Sequence, residues 1–115
     1  MVDQLPLLKG TVDMLVLKAL TWGPMHGFGI SQWLDNRSNG SLGLDDSAMY
    51  QVLHRLEGRG HVEAEWRVTD NSRRARFYRL THAGRSHLKA QTDLWLRYSG
   101  VVTALVTSRA RTSRG

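Results

Sequence analysis

The pattern of apolar residues changes period at residue 61, and this change most limits the folds open to the chain. Before it, apolar residues recur at helical spacing; after it, they alternate one by one with charged residues, as in a half-buried strand. The apolar members of the alternation are Val62, Ala64, Trp66 and Val68. Residues 69–72 have the composition of a turn, and residues 74–80 predict a second strand. The short connection predicts an antiparallel hairpin.

Helical periodicity predicts three helices ahead of the hairpin, over residues 11–21, 27–37 and 47–59. Thr11 is a plausible N-cap for the first, and the segment Asp45-Asp46-Ser47 offers N-caps for the third. Gly60 suits the position after a helix end, where left-handed backbone is common. Each predicted helix has one apolar face. In chain order these faces consist of Val12, Leu15, Val16, Ala19 and Leu20; of Ile30, Trp33 and Leu34; and of Met49, Val52, Leu53 and Leu56.

A fourth helix is predicted after the hairpin, with Thr81 as its N-cap. Its stripe repeats every seven residues, which is typical of a helix that packs along a second helix. The stripe consists of Leu88, Trp95 and Val102, with Gln91, Tyr98 and Leu105 three residues after each. We therefore expect residues 82–107 to form a dimerisation helix and residues 108–115 to form a basic, disordered tail.

The net charge of +6 is concentrated in two places. Residues 67–85 contain six arginines and one aspartate, and residues 108–115 contain three arginines and no acidic residue. Such clusters favour a polyanionic partner. The lack of cysteine excludes disulfides and cysteine-bound zinc, and no apolar run approaches the roughly 20 residues of a membrane span. We expect a cytoplasmic protein without a membrane partner.

Three short helices followed by an arginine-bearing hairpin are the layout of a winged helix-turn-helix domain. The predicted fold class is therefore mainly α with a two-stranded β-hairpin, in which residues 1–81 form the DNA-binding domain and the last helix joins two copies. In such folds the third helix enters the major groove, while the hairpin, or wing, lies against phosphates or the minor groove. The predicted contacts are Ser47, Gln51, His54 and Arg55 on the third helix and Arg73, Arg74 and Arg76 on the wing. A charged hairpin facing only solvent is the alternative for the wing arginines, and Gln51, His54 and Arg55 could equally be ordinary surface residues.

Four segments in this order resemble the PadR family of bacterial transcriptional regulators. They are residues 8–20, residues 23–30, residues 47–57 with Gly60, and residues 73–85. The short form with a single C-terminal helix is the closest in layout. The resemblance implies a homodimer that binds double-stranded DNA at a palindromic operator and usually represses transcription. It also implies that the Tyr50 hydroxyl contacts the DNA backbone, although Tyr50 could equally pack between the third helix and the wing. One departure is Gln51, where the family commonly has proline, so base preference does not transfer from relatives.

Trp95 has two interpretations. It is a core residue of the dimer seam, or it flanks, with its counterpart in the second copy, a gap that admits a small aromatic effector. No histidine pair has the spacing of a metal site, and no catalytic constellation is evident, so we expect no metal, no cofactor and no enzyme activity. The rival to DNA binding is a winged-helix module that binds a protein partner.

Overall fold

The computed structural model describes residues 4–8 and 10–111, which form four α-helices and one small antiparallel sheet. In chain order the elements are α1 (Val12–Ala19), a 3-10 turn (Leu20–Trp22), β1 (Met25–His26), α2 (Gly27–Arg37), α3 (Asp46–Gly58), β2 (Val62–Val68), β3 (Arg74–Leu80) and α4 (His82–Val106). Of the predicted basic tail, residues 108–111 lie in no helix or strand, and residues 112–115 lie outside the described residues.

Side chains set the start of three helices. Asp45 accepts a hydrogen bond from the Ala48 N–H at 2.8 Å, so α3 begins at Asp46, one residue earlier than predicted. The Thr81 hydroxyl accepts from the Gly84 N–H at 3.0 Å, which confirms the predicted cap of α4. The unpredicted cap of α2 is the His26 ring, whose Nδ1 accepts from the Gly29 N–H at 2.9 Å. Thr11 precedes α1, but its hydroxyl donates to the Leu8 carbonyl and caps nothing.

The sheet has three strands in the order β1-β3-β2, so the prediction of a two-stranded hairpin missed one strand. Met25 pairs with Tyr78 and His26 with Phe77, both antiparallel. Two residues are too few to show an alternating pattern, so β1 could not be predicted from periodicity. The winged-helix fold class is otherwise confirmed, because the hairpin of β2 and β3 follows α3 as expected.

The core lies where α1, α2 and α3 meet one face of the sheet. Its buried members include Val16, Leu17, Leu20, Ile30, Leu56, Val62, Tyr78 and Leu88. The alternation predicted for β2 leads to burial only at the base of the wing, since Val62 is buried while Trp66 is 59% and Val68 is 70% exposed. The outer half of the wing therefore projects beyond the helices that cover its base.

The backbone of α4 meets the junction between α3 and β2 at a glycine. A Cβ on Gly84 would overlap the carbonyl oxygen of His61, so this close approach requires a residue without a side chain. The Thr81 N–H donates to the same His61 carbonyl at 3.1 Å. The start of α4 is thereby held against the end of α3 and the first residue of the wing.

Candidate nucleic-acid interface

The outward face of α3 carries polar side chains. Met49, Val52, Leu53 and Leu56 are buried in the core, because they share the helical face that meets α1 and α2. The opposite face exposes four of the residues predicted to contact DNA, namely Ser47, Tyr50, Gln51 and His54. The rings of Tyr50 and His54, one turn apart, stack with centroids at 6.0 Å. This face can present hydroxyl, amide and imidazole groups to a ligand that lies along the helix.

Arg55 is on α3 but its guanidinium is directed to α1. Its Nη2 and Nε both contact the carboxylate of Asp13, the Nε–Oδ2 distance being 3.2 Å. The hydrogen bond to Asp13 raises the pKa of Arg55, and the negative charge of Asp13 acts in the same direction. Arg59 adds a second ion pair to Asp13 at 3.5 Å. The predicted DNA contact of Arg55 thus competes with an ion pair that fastens α3 to α1.

The wing presents its arginines in two different states. The Arg76 guanidinium contacts Glu57 of α3 at 2.7 Å, and the Arg76 Nε is buried without a hydrogen-bond partner in the described part of the chain. Arg73 and Arg74 are exposed, and neither forms an ion pair within residues 4–8 and 10–111. Arg76 therefore ties the wing to α3, while Arg73 and Arg74 keep their charge available at the outer end.

The exposed face of α3 and the wing border one groove. Tyr50 of α3 and Arg76 of β3 both line this groove, which has a volume of about 360 Å³ and a floor that includes Tyr78. Burial raises the pKa of the Tyr78 hydroxyl, so this group is neutral at physiological pH. Arg74 lies two residues before Arg76 on the same strand, hence on the same face of the sheet. The three predicted contacts Tyr50, Arg74 and Arg76 are thus brought to one side of the molecule.

The charge on this side is uneven. The start of α3 carries Asp45 and Asp46, which suit the positive end of the helix dipole but oppose a phosphate. The uncompensated positive charges of the described interface are those of Arg73 and Arg74 on the wing. Attraction to a polyanion must therefore come mainly from the wing, with α3 contributing polar, directional groups.

Trp66 belongs to this surface and was not predicted there. The alternating pattern placed it on the half-buried face of β2, yet its indole is exposed and the Arg74 guanidinium carbon lies 5.0 Å from its ring centre. The length of β2 relative to α3 decides this exposure, and the sequence pattern does not contain that information. The one sequence feature that could have indicated this contact is the presence of Trp66 and Arg74 on either side of the same turn.

Most of the seam predicted on α4 is exposed. Leu88 is the exception, being 8% exposed and packed in the core of its own chain against α1. Gln91 is half-buried, and the exposed seam members are Trp95, Tyr98, Val102 and Leu105. Leu94, Leu96 and Val101 are exposed beside them. The outer part of α4 is therefore an apolar surface that no other element covers within residues 4–8 and 10–111.

Trp95 borders two grooves between α4 and the first segments of the chain. One, of about 270 Å³, is shared with Leu8, Met14 and Tyr98; the other, of about 540 Å³, is shared with Met14, Leu15 and Leu88. The exposed surface of both grooves is mostly apolar, although Lys18, Arg85, Lys89 and Asp93 also border the larger one. Such a surface suits either the helix of a second copy or an aromatic molecule.

The described residues also bear on metal binding and on membrane insertion. Residues 4–8 and 10–111 contain no group of three or more histidine, cysteine, aspartate or glutamate side chains placed to hold a metal ion. Within the same residues, no helix has both the length and the apolar character that crossing a membrane demands.

The helices and the wing together define the class of protein by its fold, a winged helix-turn-helix protein. The model of the PadR-like family of transcriptional regulators matches residues 16–90. The chain belongs to this family, and the resemblance of its four sequence segments is thereby confirmed.

Solved structures share the fold over most of the chain. A transcriptional regulator from Clostridium thermocellum superposes with a TM-score of 0.79 at 23% identity, covering 86% of this chain and 96% of that one. A PadR family transcriptional regulator from Eggerthella lenta gives 0.77 at 26% identity, covering 88% and 86%. Both likenesses extend through the winged-helix elements to α4.

Two curated relatives carry no functional description. An uncharacterized protein X from Lysinibacillus sphaericus is 25% identical over 96 residues, which is 84% of this chain and 88% of that protein. An uncharacterized 37.1 kDa protein in transposon TN4556 of Streptomyces fradiae is 37% identical over 90 residues, but these form only 24% of that longer protein.

Proposed function

We propose that this protein binds double-stranded DNA sequence-specifically, through α3 and the wing, and represses transcription as a cytoplasmic homodimer. The observation that carries the proposal is the groove shared by Tyr50 and Arg76, with the free charges of Arg73 and Arg74 beside it. A polar helix face next to uncompensated arginines has the composition of a surface that reads bases and holds phosphates. No catalytic step forms part of the proposal.

The two elements divide the work of recognition. Ser47, Gln51 and His54 contact base edges in the major groove, where a glutamine amide can pair with adenine through two hydrogen bonds. Tyr50 donates its hydroxyl to the DNA backbone, and Arg73 and Arg74 contact phosphates or enter the neighbouring minor groove. Arg55 and Arg76 hold α3 against α1 and the wing; their direct DNA contacts stay predictions.

DNA binding is tested by fluorescence anisotropy with a labelled duplex that the purified protein has selected from a random pool. Affinity should fall steeply between two salt concentrations, since each phosphate contact releases counterions. Gln51→Ala should relax base preference without changing the salt dependence. Failure to select any sequence, or binding that ignores salt, would instead favour the winged-helix module that binds a protein partner.

The dimer is proposed to form through the exposed apolar surface of α4. Two copies joined there would present two α3 helices to successive major grooves, so the operator would be a palindrome with half-sites about 34–36 Å apart or a multiple of this. The proposed seam residues are Gln91, Trp95, Tyr98, Val102 and Leu105, with Leu88 supporting them from the core.

Analytical ultracentrifugation tests whether the dimer forms through these residues of α4. The double variant Trp95→Ala/Tyr98→Ala should sediment as a lighter species than the unaltered protein, because two aromatic contacts are lost from each copy. Arg97→Ala, on the opposite side of α4, is the matched control and should leave the mass unchanged. An unchanged mass for the double variant would rule out this surface as the main contact.

Release of the operator is proposed to follow binding of a small aromatic effector beside Trp95. Such a molecule would stack on the indole and change the fit between the two α4 helices, which sets the distance between the α3 helices. An anionic aromatic dye that does not bind DNA, such as 8-anilinonaphthalene-1-sulfonate, is a suitable probe. It should quench tryptophan fluorescence and weaken DNA binding in the unaltered protein, and both effects should disappear in Trp95→Ala.

A further inference from the structure

The outer half of the wing carries an aromatic side chain that the fold does not need. Trp66 and Val68 are exposed, and they lie past the point where α3 covers the sheet. In the register of the hairpin, Trp66 is opposite Arg76 and Val68 is opposite Arg74, so all four side chains share one face. Because the indole is largely exposed, packing in the core does not account for it.

Arg74 reaches diagonally across the strands to the indole. Its guanidinium carbon is 5.0 Å from the centre of the Trp66 ring, within the range of a cation–π contact, and tryptophan is the aromatic side chain that binds cations best. Unlike a carboxylate, an aromatic face does not neutralise the guanidinium and leaves its in-plane N–H groups free for an acceptor. The contact orders a long side chain while preserving its charge and its donors.

An arginine on the opposite face of the wing shows how a carboxylate partner changes such a contact. Arg67 also stacks on an aromatic ring, that of Phe77, with 5.2 Å between its guanidinium carbon and the ring centre. Arg67, however, also forms an ion pair with Glu65 at 2.8 Å. Of these two stacked arginines, Arg74 is the one without a carboxylate in the described residues, and it is on the face shared with the α3 groove.

We infer that Trp66 is a positioning residue for DNA binding: its indole holds the Arg74 guanidinium in the orientation in which it meets a phosphate. The inference rests on the proposed function, because it gives Arg74 a phosphate to contact. Holding the side chain in advance lowers the conformational entropy lost on binding, which for arginine is among the largest of all side chains.

A double-mutant cycle on Trp66 and Arg74 tests this inference, with anisotropy of a labelled duplex of mixed sequence as the readout. Trp66→Ala should weaken binding about two- to fivefold. Its salt slope should move toward that of Arg74→Ala, which is expected to be lower by about one. Trp66→Phe should retain most of the affinity. Because the indole lies outside the core, thermal unfolding should be unaltered in these variants.

The decisive comparison is Trp66→Ala in the Arg74→Ala background, where the effect should shrink to less than about twofold. An equal loss in both backgrounds would mean that the indole acts on DNA independently of Arg74, and the inference would be wrong. So would unaltered binding by Trp66→Ala alone. Arg67→Ala is the matched control and should change affinity less than Arg74→Ala. If the unaltered protein shows no salt-dependent binding, the proposed function itself fails, and this inference fails with it.

Discussion

Arginines occur both on α3 and on the wing, but the two sets differ in what holds them. On α3, Arg55 is bound to Asp13 of α1. On the outer wing, Arg74 stacks on the indole of Trp66, and Arg73 is exposed. Within the described residues, neither arginine forms an ion pair with a carboxylate. A guanidinium already paired with a carboxylate gains less from a phosphate, since the pair must be broken first. The partner of an arginine therefore indicates its role better than its position on a DNA-facing element does.

The two regions also differ in how they are anchored. α3 inserts four apolar side chains into the core, among them Leu56, which is fully buried. The outer wing is held mainly by its strand pairing and by the ion pair of Arg76 with Glu57, and it ends in exposed side chains such as Val68. α3 is thus fixed by packing in the core, whereas the outer wing is fixed by contacts at the surface.

Truncating one apolar side chain in each region should give the largest difference, which is in the free energy of unfolding. Leu56→Ala should lower the free energy of unfolding by about 2–5 kcal/mol, through lost burial and the cavity left behind. Val68→Ala, its counterpart on the outer wing, should change it by no more than about 0.5 kcal/mol. Denaturant unfolding measures both. A comparable loss in the two variants would show that the outer wing is anchored as firmly as α3.

Removing one arginine from each region tests the electrostatic difference. Arg74→Ala should reduce the slope of log affinity against log salt by about one, because one phosphate contact is lost. Arg55→Ala should leave the slope nearly unchanged and lower the free energy of unfolding by up to about 1 kcal/mol, a modest value because the pair is partly exposed to solvent. Equal slopes in the two variants would contradict the assigned difference.

The junction between the two regions should give the smallest effect, a dependence of stability on pH. Burial lowers the pKa of His61 below its usual value of 6.5, and the neighbouring charges of His87 and Arg59 lower it further, against a weaker opposing effect of Asp13. The unfolded chain therefore takes up a proton at a higher pH than the folded chain does. The contribution of this group is fully present above about pH 6.5 and is lost as the pH falls toward the lowered pKa of the folded state.

The melting temperature should consequently decrease from about pH 7.5 to about pH 5.5, and the decrease should be smaller in His61→Gln. His82→Gln is a suitable control, because this exposed histidine at the start of α4 should leave the pH dependence intact. An identical pH profile in His61→Gln and the unaltered protein would exclude the junction as its source.

Much of the fold could be predicted because neighbouring residues carry the information. Helical spacing gave the existence of all four helices, and alternation gave the two strands of the wing. Boundaries depended on single side chains: of the three candidate caps at residues 45–47, Asp45 is the one that caps α3. β1 was missed because its two residues become a strand only by pairing with Tyr78 and Phe77, more than fifty positions away along the chain.

The exposed face of α3 was also predictable, since once the buried stripe is known the helical period fixes which residues point outward. The states of the arginines were not. Arg55 and Asp13 are 42 residues apart in sequence, and Arg76 and Glu57 are 19 apart. Nothing in the local pattern joins the members of either pair.

By itself, the sequence determined the order of the four helices and the two wing strands, the family and the polar face of α3, because periodicity, caps and motifs are properties of residues close together in the chain. Only the tertiary structure decided which arginines are bound to carboxylates, that Leu88 belongs to the core and that Trp66 is exposed beneath Arg74. The physical reason is range: hydrogen bonds and close ion pairs act over a few ångströms, so they form only where packing brings distant segments into contact.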